Sequence, residues 1–344
     1  MAVLSYRLGA VDGVSVAAAQ WVTALRRLGC QVRTVAGAGA ADRLVPGLAF
    51  DTRRPARKRD IEAALHDVDL VVVENVCSLP MNPQVSEVVA QALRGRSAVL
   101  RHHDLPWERE RYAHLSGWPP DDPGWQHVAI SKHSAAELGR RGIDATAVYP
   151  GYARTPRGNR EAARAALGVA PQQRLLLQPT RAIPRKNIAT GIALTQAVDA
   201  VYWLTGPVEE DYGPQLANLL ATAGCPVRRG LPRCLRMADA YAAADAVVLP
   251  SKWEGFGLPL IESALAQRPL AVSDYPVARE VARLGFSWFP VDDPAPLAAW
   301  FADPDPALLA RNRALAQQHF GPDALAGRLS DTLSRAGLRC SCVR

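Results

Sequence analysis

The sequence predicts an α/β protein made of two Rossmann-like, doubly wound parallel-sheet domains that face a deep cleft. Three observations carry this reading. The chain has 344 residues, too many for one ordinary domain and suited to two. Short apolar runs alternate with stretches of helical period along almost the whole length, the pattern of parallel strands joined by crossover helices. A polar stretch broken by proline and glycine, Arg154 to Arg160, follows Tyr149-Pro-Gly-Tyr152 and divides the chain near its middle.

In the first half, strands are expected at Val32–Val35, Leu70–Val73, Ala98–Leu100 and His127–Ile130, with helices at Val14–Leu28 and Val85–Arg94. Uninterrupted runs such as Leu70-Val-Val-Val73 read as strands buried on both faces. In the second half, strands are expected at Arg174–Gln178, Val201–Leu204, Ala246–Leu249 and Leu270–Val272. Helices fit Ile188–Val198, Gly213–Ala223, Met237–Ala244 and Pro259–Ala266, and the chain closes with Pro306–His319 and Pro322–Ala336. This sets domains at 1–150 and 151–320, followed by a helix and basic tail, 321–344, expected to pack back on the first domain. No fixed-period repeat is visible. Ligands in such sheets lie at the carboxyl ends of the strands.

Apolar residues at 49% and charged residues at 21% exclude a disordered, collagen-like or fibrous chain. The net charge is +7, yet only Lys58, Lys132, Lys186 and Lys252 are lysines among the forty basic residues. Basicity of this arginine-rich kind fits small phosphate-bearing ligands as well as nucleic acid. No nucleic-acid motif and no basic stripe interleaved with aromatics is present, so no nucleic-acid partner is expected. Six cysteines are too few for a disulfide scaffold, and none forms a paired C-x2-C, so no metal site is expected. They read as mostly reduced and buried, with Cys340 and Cys342 in a frayed tail. The opening residues Met1 to Arg7 show no apolar h-region, and no uncharged apolar run approaches ~18 residues, so no membrane targeting is expected. The expectation is a cytoplasmic protein. Five basic residues within Arg53–Arg59 leave peripheral contact with anionic lipid at the inner face of the membrane open.

The strongest motif is Leu249-Pro-Ser-Lys-Trp-Glu-Gly-Phe-Gly-Leu-Pro-Leu-Ile-Glu262. A strand ends, Gly255-Phe256-Gly257 lets backbone approach a ligand, and Pro259 suits the first position of a helix. The amides at that helix start would suit an anion or polyol. Glu254 and Glu262 are carboxylates that accept hydroxyl hydrogen bonds, with a first-turn glutamate favoured by the helix dipole as the plainer reading of Glu262. The Glu-x7-Glu spacing inside Pro-Ser-x-x-Glu-Gly-Phe-Gly-Leu-Pro resembles the family 4 retaining glycosyltransferases of the GT-B fold. Asp239–Pro250 before it and Pro269–Glu280 after it resemble that family's flanking units. Leu265-Ala-Gln-Arg-Pro269 departs from the family's Ala-x-Gly.

The resemblance implies a hexosyltransferase working from a nucleotide diphosphate sugar, without metal or resident cofactor. The first domain would be acceptor-side and the second would hold the donor. In Pro179-Thr-Arg-Ala-Ile-Pro-Arg-Lys-Asn187, the resemblance places Arg181 and Lys186 on the donor diphosphate, where cations stabilise a leaving group; Arg185 reads as a solvated neighbour. In Arg101-His-His-Asp-Leu-Pro-Trp107, it places His103 by the donor sugar; the run could also hold a metal, without a third ligand motif to support that. After Tyr6-Arg7-Leu-Gly it places Gly13 by the donor phosphates. Gly255, Phe256, Gly257 and Leu258 would line the donor, Glu254 would grip a sugar hydroxyl and Glu262 the ribose.

Acceptor-side candidates are Arg7, Asn75, Asp104, Trp107 and Arg109, with Glu74, Asn82 and Arg111 beside them. Asp67-Val-Asp69 spells D-x-D but enters a buried strand and reads as structural. The two basic blocks resemble the mannosylglucosylglycerate and mannosylglycerate synthase-like branch, which implies GDP-mannose as donor and a small acceptor. A lipid-linked acceptor, a UDP-glucose or UDP-amino-sugar donor, and a non-catalytic sugar-nucleotide binder are the alternatives.

Overall fold

The computed structural model describes residues 1–10, 12–152 and 157–337. The chain divides into two compact units, Met1–Ala153 with Phe320–Arg344, and Arg154–His319. The Cys340 and Cys342 reading, Arg154–Pro156 of the expected linker, and the end of the basic tail lie outside the described residues.

The first unit begins β1 (Ala2–Leu8), α1 (Gly13–Arg27), β2 (Arg33–Gly39), β3 (Arg43–Leu44), α2 (Lys58–Ala64), β4 (Val71–Glu74) and α3 (Pro83–Leu93). It continues β5 (Ala98–His102), β6 (Trp125–Ala129), α4 (Lys132–Gly139) and β7 (Ala145–Ala147). The sheet order is β3-β2-β1-β4-β5-β6-β7, and every pairing is parallel. Strand residues alternate between two cores, as the period-two pleat requires. Leu4, Val71, Val73 and Leu100 face Ile61 of α2 and Val85 and Val89 of α3. Val3, Val72, Val99 and Val128 face Trp21 and Leu25 of α1. Cover on both faces is why these strands lack a polar side.

The second unit begins α5 (Arg160–Leu167), β8 (Arg174–Gln178), α6 (Ile188–Ala197), β9 (Ala200–Leu204), α7 (Gly213–Ala221), β10 (Val227–Arg229) and α8 (Met237–Ala243). It continues β11 (Ala246–Leu249), α9 (Pro259–Leu265), β12 (Leu270–Val272), α10 (Pro276–Ala282), β13 (Phe289–Pro290), α11 (Ala295–Ala302) and α12 (Pro306–Phe320). Its sheet order is β10-β9-β8-β11-β12-β13. The last helix, α13 (Pro322–Arg335), returns to the first unit. Its Leu325, Leu329 and Leu333 join the Trp21 core. Tyr152 N–H donates to the Phe320 carbonyl at 2.7 Å.

The described end of the expected linker is docked. Asn159 caps α5 and its N–H donates to Asp239 Oδ1 at 2.8 Å. A side chain on Gly158 would collide with the Ala238 carbonyl. Among the four described cysteines only Cys77 is buried, which corrects the expectation of mostly buried thiols. Asp67 pairs with Arg33 at 2.7 Å on the surface, a structural partner for the D-x-D spelling.

Both sheets wind outward from a central pair of strands, β1 and β4 in the first unit and β8 and β11 in the second. Loops at the carboxyl ends of such a pair diverge to opposite faces and leave a crevice. The strongest sequence motifs fall on these loops.

Candidate functional site

In the second unit the loops after β8 and β11 hold one another. Gln178, the last residue of β8, donates through Nε2 to the Lys186 carbonyl at 3.0 Å and accepts from Tyr202 Oη–H at 2.6 Å. Lys252 N–H donates to the Arg185 carbonyl at 2.9 Å. Across this junction Lys186 Nζ donates to Glu254 Oε1. Arg185 NH1 donates to Glu254 Oε2 at 2.9 Å and to the Trp253 carbonyl at 3.1 Å. The Arg185 guanidinium lies over the Trp253 ring, 4.5 Å from its centroid. Arg185 is therefore packed into the corner, which corrects its reading as a solvated neighbour. The stacked guanidinium is weakly hydrated and matches a carboxylate by its fork.

The charges are strongly coupled. Burial would push the Glu254 carboxyl up, but Lys186 and Arg185 outweigh it and hold it at about 2. For Lys186, burial outweighs the attraction of Glu254 and brings the ammonium down to about 8. Chemically, cations paired with a carboxylate in this way can exchange it for another anion.

Gly257 has φ +87°, and a Cβ there would come 2.5 Å from Tyr275 Oη. Only glycine fits this turn. Gly255 and Phe256 are buried beside it, and Leu258 is partly buried. The helix amides differ from expectation. Leu260 N–H donates to the Gly257 carbonyl at 2.9 Å, and Ile261 and Glu262 N–H donate to Leu258 at 3.1 Å each. These amides are satisfied by their own tight turn, so they are not open donors. Glu262 accepts from Tyr241 Oη–H at 2.6 Å, and burial raises its carboxyl, partly offset by that bond. Glu262 thus sits with α8, and Glu254 with the loop cations. Arg181 is separate from both, half-exposed and paired with Glu209 at 2.6 Å.

In the first unit, β5 runs through His102, two residues past its expected end. Arg101 and His102 are fully buried polar residues that break the apolar pattern. Arg101 NH1 donates to Glu74 Oε1 at 2.9 Å, and its guanidinium lies 4.3 Å from the Trp21 ring centroid. His103 Nε2 lies 2.6 Å from Glu74 Oε2. Burial pushes the Glu74 carboxyl up, and Arg101 and His103 outweigh it, so the carboxyl stays below its ordinary value. Glu74 is therefore interior and does not line an acceptor surface as expected. Asn75 Oδ1 accepts from the N–H groups of His103 and Asp104 at 3.1 and 3.2 Å. Asp104 pairs with Arg109 at 2.8 Å.

His102 turns the other way, to His127 Nδ1 at 2.9 Å, and His127 Nε2 meets Asp121 at 3.0 Å. The His-His-Asp run therefore diverges. Among the described residues no three His, Cys, Asp or Glu side chains converge as a metal-holding group. Gly13 opens α1 behind Asp12, whose carboxylate accepts from Ser15 N–H and pairs with Arg7 at 3.0 Å. Trp107 packs beside Leu105 and Leu138, with Arg141 3.8 Å from its ring centroid. Asn82 caps α3 and donates to the carbonyls of Phe50 and Thr52 at 3.2 Å each, so its side chain is engaged in local structure.

Arg185 and Trp253 are the site residues missed from sequence. The available signal was their place in the two motif blocks already singled out.

Residues 159–302 match the family model described as "Glycosyl transferases group 1". The mannosylglucosylglycerate synthase of Thermotoga maritima is 27% identical, over 80% of this chain and 81% of that protein. The D-inositol 3-phosphate glycosyltransferase of Streptomyces avermitilis is 32% identical over 60% of this chain and 49% of its own. Anabaena HepE, solved with UDP and glucose, superposes with a TM-score of 0.74 at 17% identity, covering 97% of this chain and 100% of that one. The sucrose-phosphate synthase of Thermosynechococcus elongatus gives 0.75 at 17% identity, covering 97% and 98%. The fold is GT-B. The chain is a glycosyltransferase of the hexosyl-transferring class.

Proposed function

We propose that this enzyme transfers mannose from GDP-mannose to a hydroxyl of a small glycerate-type acceptor, with retention at the anomeric carbon. The observation that carries the reading is the cluster of Lys186, Arg185 and Glu254 at the switch point of the domain that matches the family model. Resemblance to the mannosylglucosylglycerate synthases of Thermotoga maritima and Petrotoga mobilis supports the choice of donor and acceptor. In this reading the donor diphosphate takes Lys186 and Arg181, and Glu254, released from its cations, accepts from a sugar hydroxyl. Gly255 to Leu258 bring backbone to the donor, Glu262 takes the ribose, and Gly13 faces the phosphates. His103 orients the sugar. Arg7, Asn75, Asp104, Trp107 and Arg109 are assigned to the acceptor.

The bond from the anomeric carbon to the leaving phosphate oxygen breaks as the acceptor oxygen attacks the same face. The acceptor's proton passes to that phosphate oxygen. Lys186 and Arg181 supply the charge that stabilises the departing diphosphate, so this reading calls for no resident cofactor or metal. UDP-glucose or a UDP-amino sugar is the runner-up donor, and HepE is solved with UDP-glucose. A lipid-linked acceptor is favoured by one observation: exposed Phe50 and Met81 lie in the same unit as the exposed basic residues of 53–59. Among the described residues no helix is long and apolar enough to cross a membrane.

The test offers GDP-mannose, UDP-glucose and a UDP-amino sugar with glycerate-type and lipid-linked acceptors, and follows nucleotide release and the product's anomeric proton. Acceptor-dependent GDP release with an α-linked product supports the proposal. Turnover with UDP sugars alone overturns the donor, and a β-linked product overturns retention.

A further inference from the structure

We propose that Glu74 is a positioning residue for His103: it accepts the Nε2–H of the imidazole, fixes that tautomer, and leaves Nδ1 to meet the substrate. This rests on the reading that His103 faces the transferred sugar.

The arrangement follows from the sheet. Glu74 is the last residue of β4 and lies opposite Arg101 in the parallel register with β5. Arg101 and His103 are two residues apart, so an extended chain points both to one side and His102 to the other. The contacts follow that parity. Arg101 and His103 both reach Glu74, at 2.9 and 2.6 Å, while His102 reaches His127. An ionised carboxylate only accepts hydrogen bonds, and arginine only donates. Glu74, held ionised by Arg101, therefore requires the proton on Nε2. Asn75 fixes the other end of the residue. It takes a left-handed backbone, φ +62°, donates its N–H to the Arg101 carbonyl at 3.0 Å, and receives His103 N–H on Oδ1 at 3.1 Å. Ring and backbone are thus both anchored. His103 Nδ1 has no hydrogen-bond partner among the described residues. Arg101 also neutralises Glu74, so the imidazole is oriented by a carboxylate without a net negative charge behind it.

This chemistry separates positioning from mere packing. In Glu74→Gln the amide oxygen must turn to Arg101, because a donor cannot face a donor. The amide NH2 then faces His103 Nε2, and the ring proton must move to Nδ1. We expect kcat to fall about 10- to 100-fold, with donor KM changed by less than about threefold. Nitrogen-15 spectra of the histidine ring should switch from Nε2–H to Nδ1–H. Adding Arg101→Met removes the competing donor, so the amide oxygen can return to Nε2–H. The double variant should recover the original tautomer and most of the lost kcat.

The wild-type spectrum needs no variant to fold. A protonated Nε2 on His103 supports the proposal, and a bare Nε2 overturns it. Wild-type kcat in folded Glu74→Gln, alongside a His103→Ala variant that loses activity, overturns the role of Glu74 and leaves that of His103 standing. Full activity in His103→Ala overturns the reading of His103 itself, whatever the tautomer.

Discussion

Each unit sets a glutamate against an arginine beside its sheet's switch point, and the two glutamates differ in depth. Glu74 ends β4 and is fully buried between Arg101 and His103. Glu254 lies in the loop beyond β11, which ends at Leu249, and its partners Lys186 and Arg185 come from the loop beyond β8. A carboxylate on a strand is locked by the register and can only support a neighbour. A carboxylate held between two loops can exchange partners with a ligand. The same charge pairing is thus fixed by a strand in one unit and held between loops in the other.

The largest effect should come from the loop pair. Lys186→Ala and Glu254→Ala should each lower kcat/KM by about 100- to 1000-fold, the scale for losing one transition-state contact. Initial rates across donor concentrations check this, and activity within tenfold of wild type would erase the functional contrast. The next effect is on stability. Glu74→Ala strands the buried Arg101 charge and should cost about 3–5 kcal/mol. Glu254→Ala leaves loop cations that can reach water and should cost about 1–3 kcal/mol. Urea unfolding of both variants decides, and equal losses would break the comparison.

Arg185→Ala removes a charge-assisted bond to Glu254 and the stack on Trp253. Donor KM should rise about tenfold, since such a bond contributes roughly 1.5–3 kcal/mol. The pH dependence should follow Lys186. The ammonium is charged below about 8 and loses its proton above it. Donor kcat/KM should therefore fall as pH rises through about 8, and Lys186→Arg should flatten that limb. For stability the sign is opposite in the acid range. Glu254 sits at about 2, below the ordinary carboxyl value of 4.5, so its contribution is present above pH 4.5 and is lost as pH falls toward 2. The smallest effect on stability is at Arg181. Its pair with Glu209 is half-exposed, so Arg181→Ala should change stability by less than about 0.5 kcal/mol. Donor affinity should still fall.

The buried parallel strands were legible wherever their central residues were an unbroken apolar run. Arg174–Gln178, Ala246–Leu249 and Leu270–Val272 hold to the residue. Strand β1 was not among the strands read from sequence, because Ser5 and Arg7 interrupt its apolar run. Strand β5 was cut short at Leu100 because Arg101 and His102 look like loop residues until Glu74, Trp21 and His127 are seen to receive them. The α/β type needed only periodicity, whereas long-range pairing has no local signature. For the same reason the motif spacing pointed to Lys186 and Glu254 separately, but not to their contact. Arg185 carried no signal apart from its neighbours, since its burial depends on Trp253, 68 positions away.

The most direct test of the loop-pair site is a thermal-shift panel of GDP, UDP and ADP on the wild type and on Lys186→Ala. A nucleotide at about 100 times its Kd adds about 2.7 kcal/mol, which moves the midpoint of a protein this size by several degrees. The account predicts a rise with GDP that Lys186→Ala abolishes. A folded wild type that shifts with no nucleotide, or a shift that survives intact in Lys186→Ala, would contradict it.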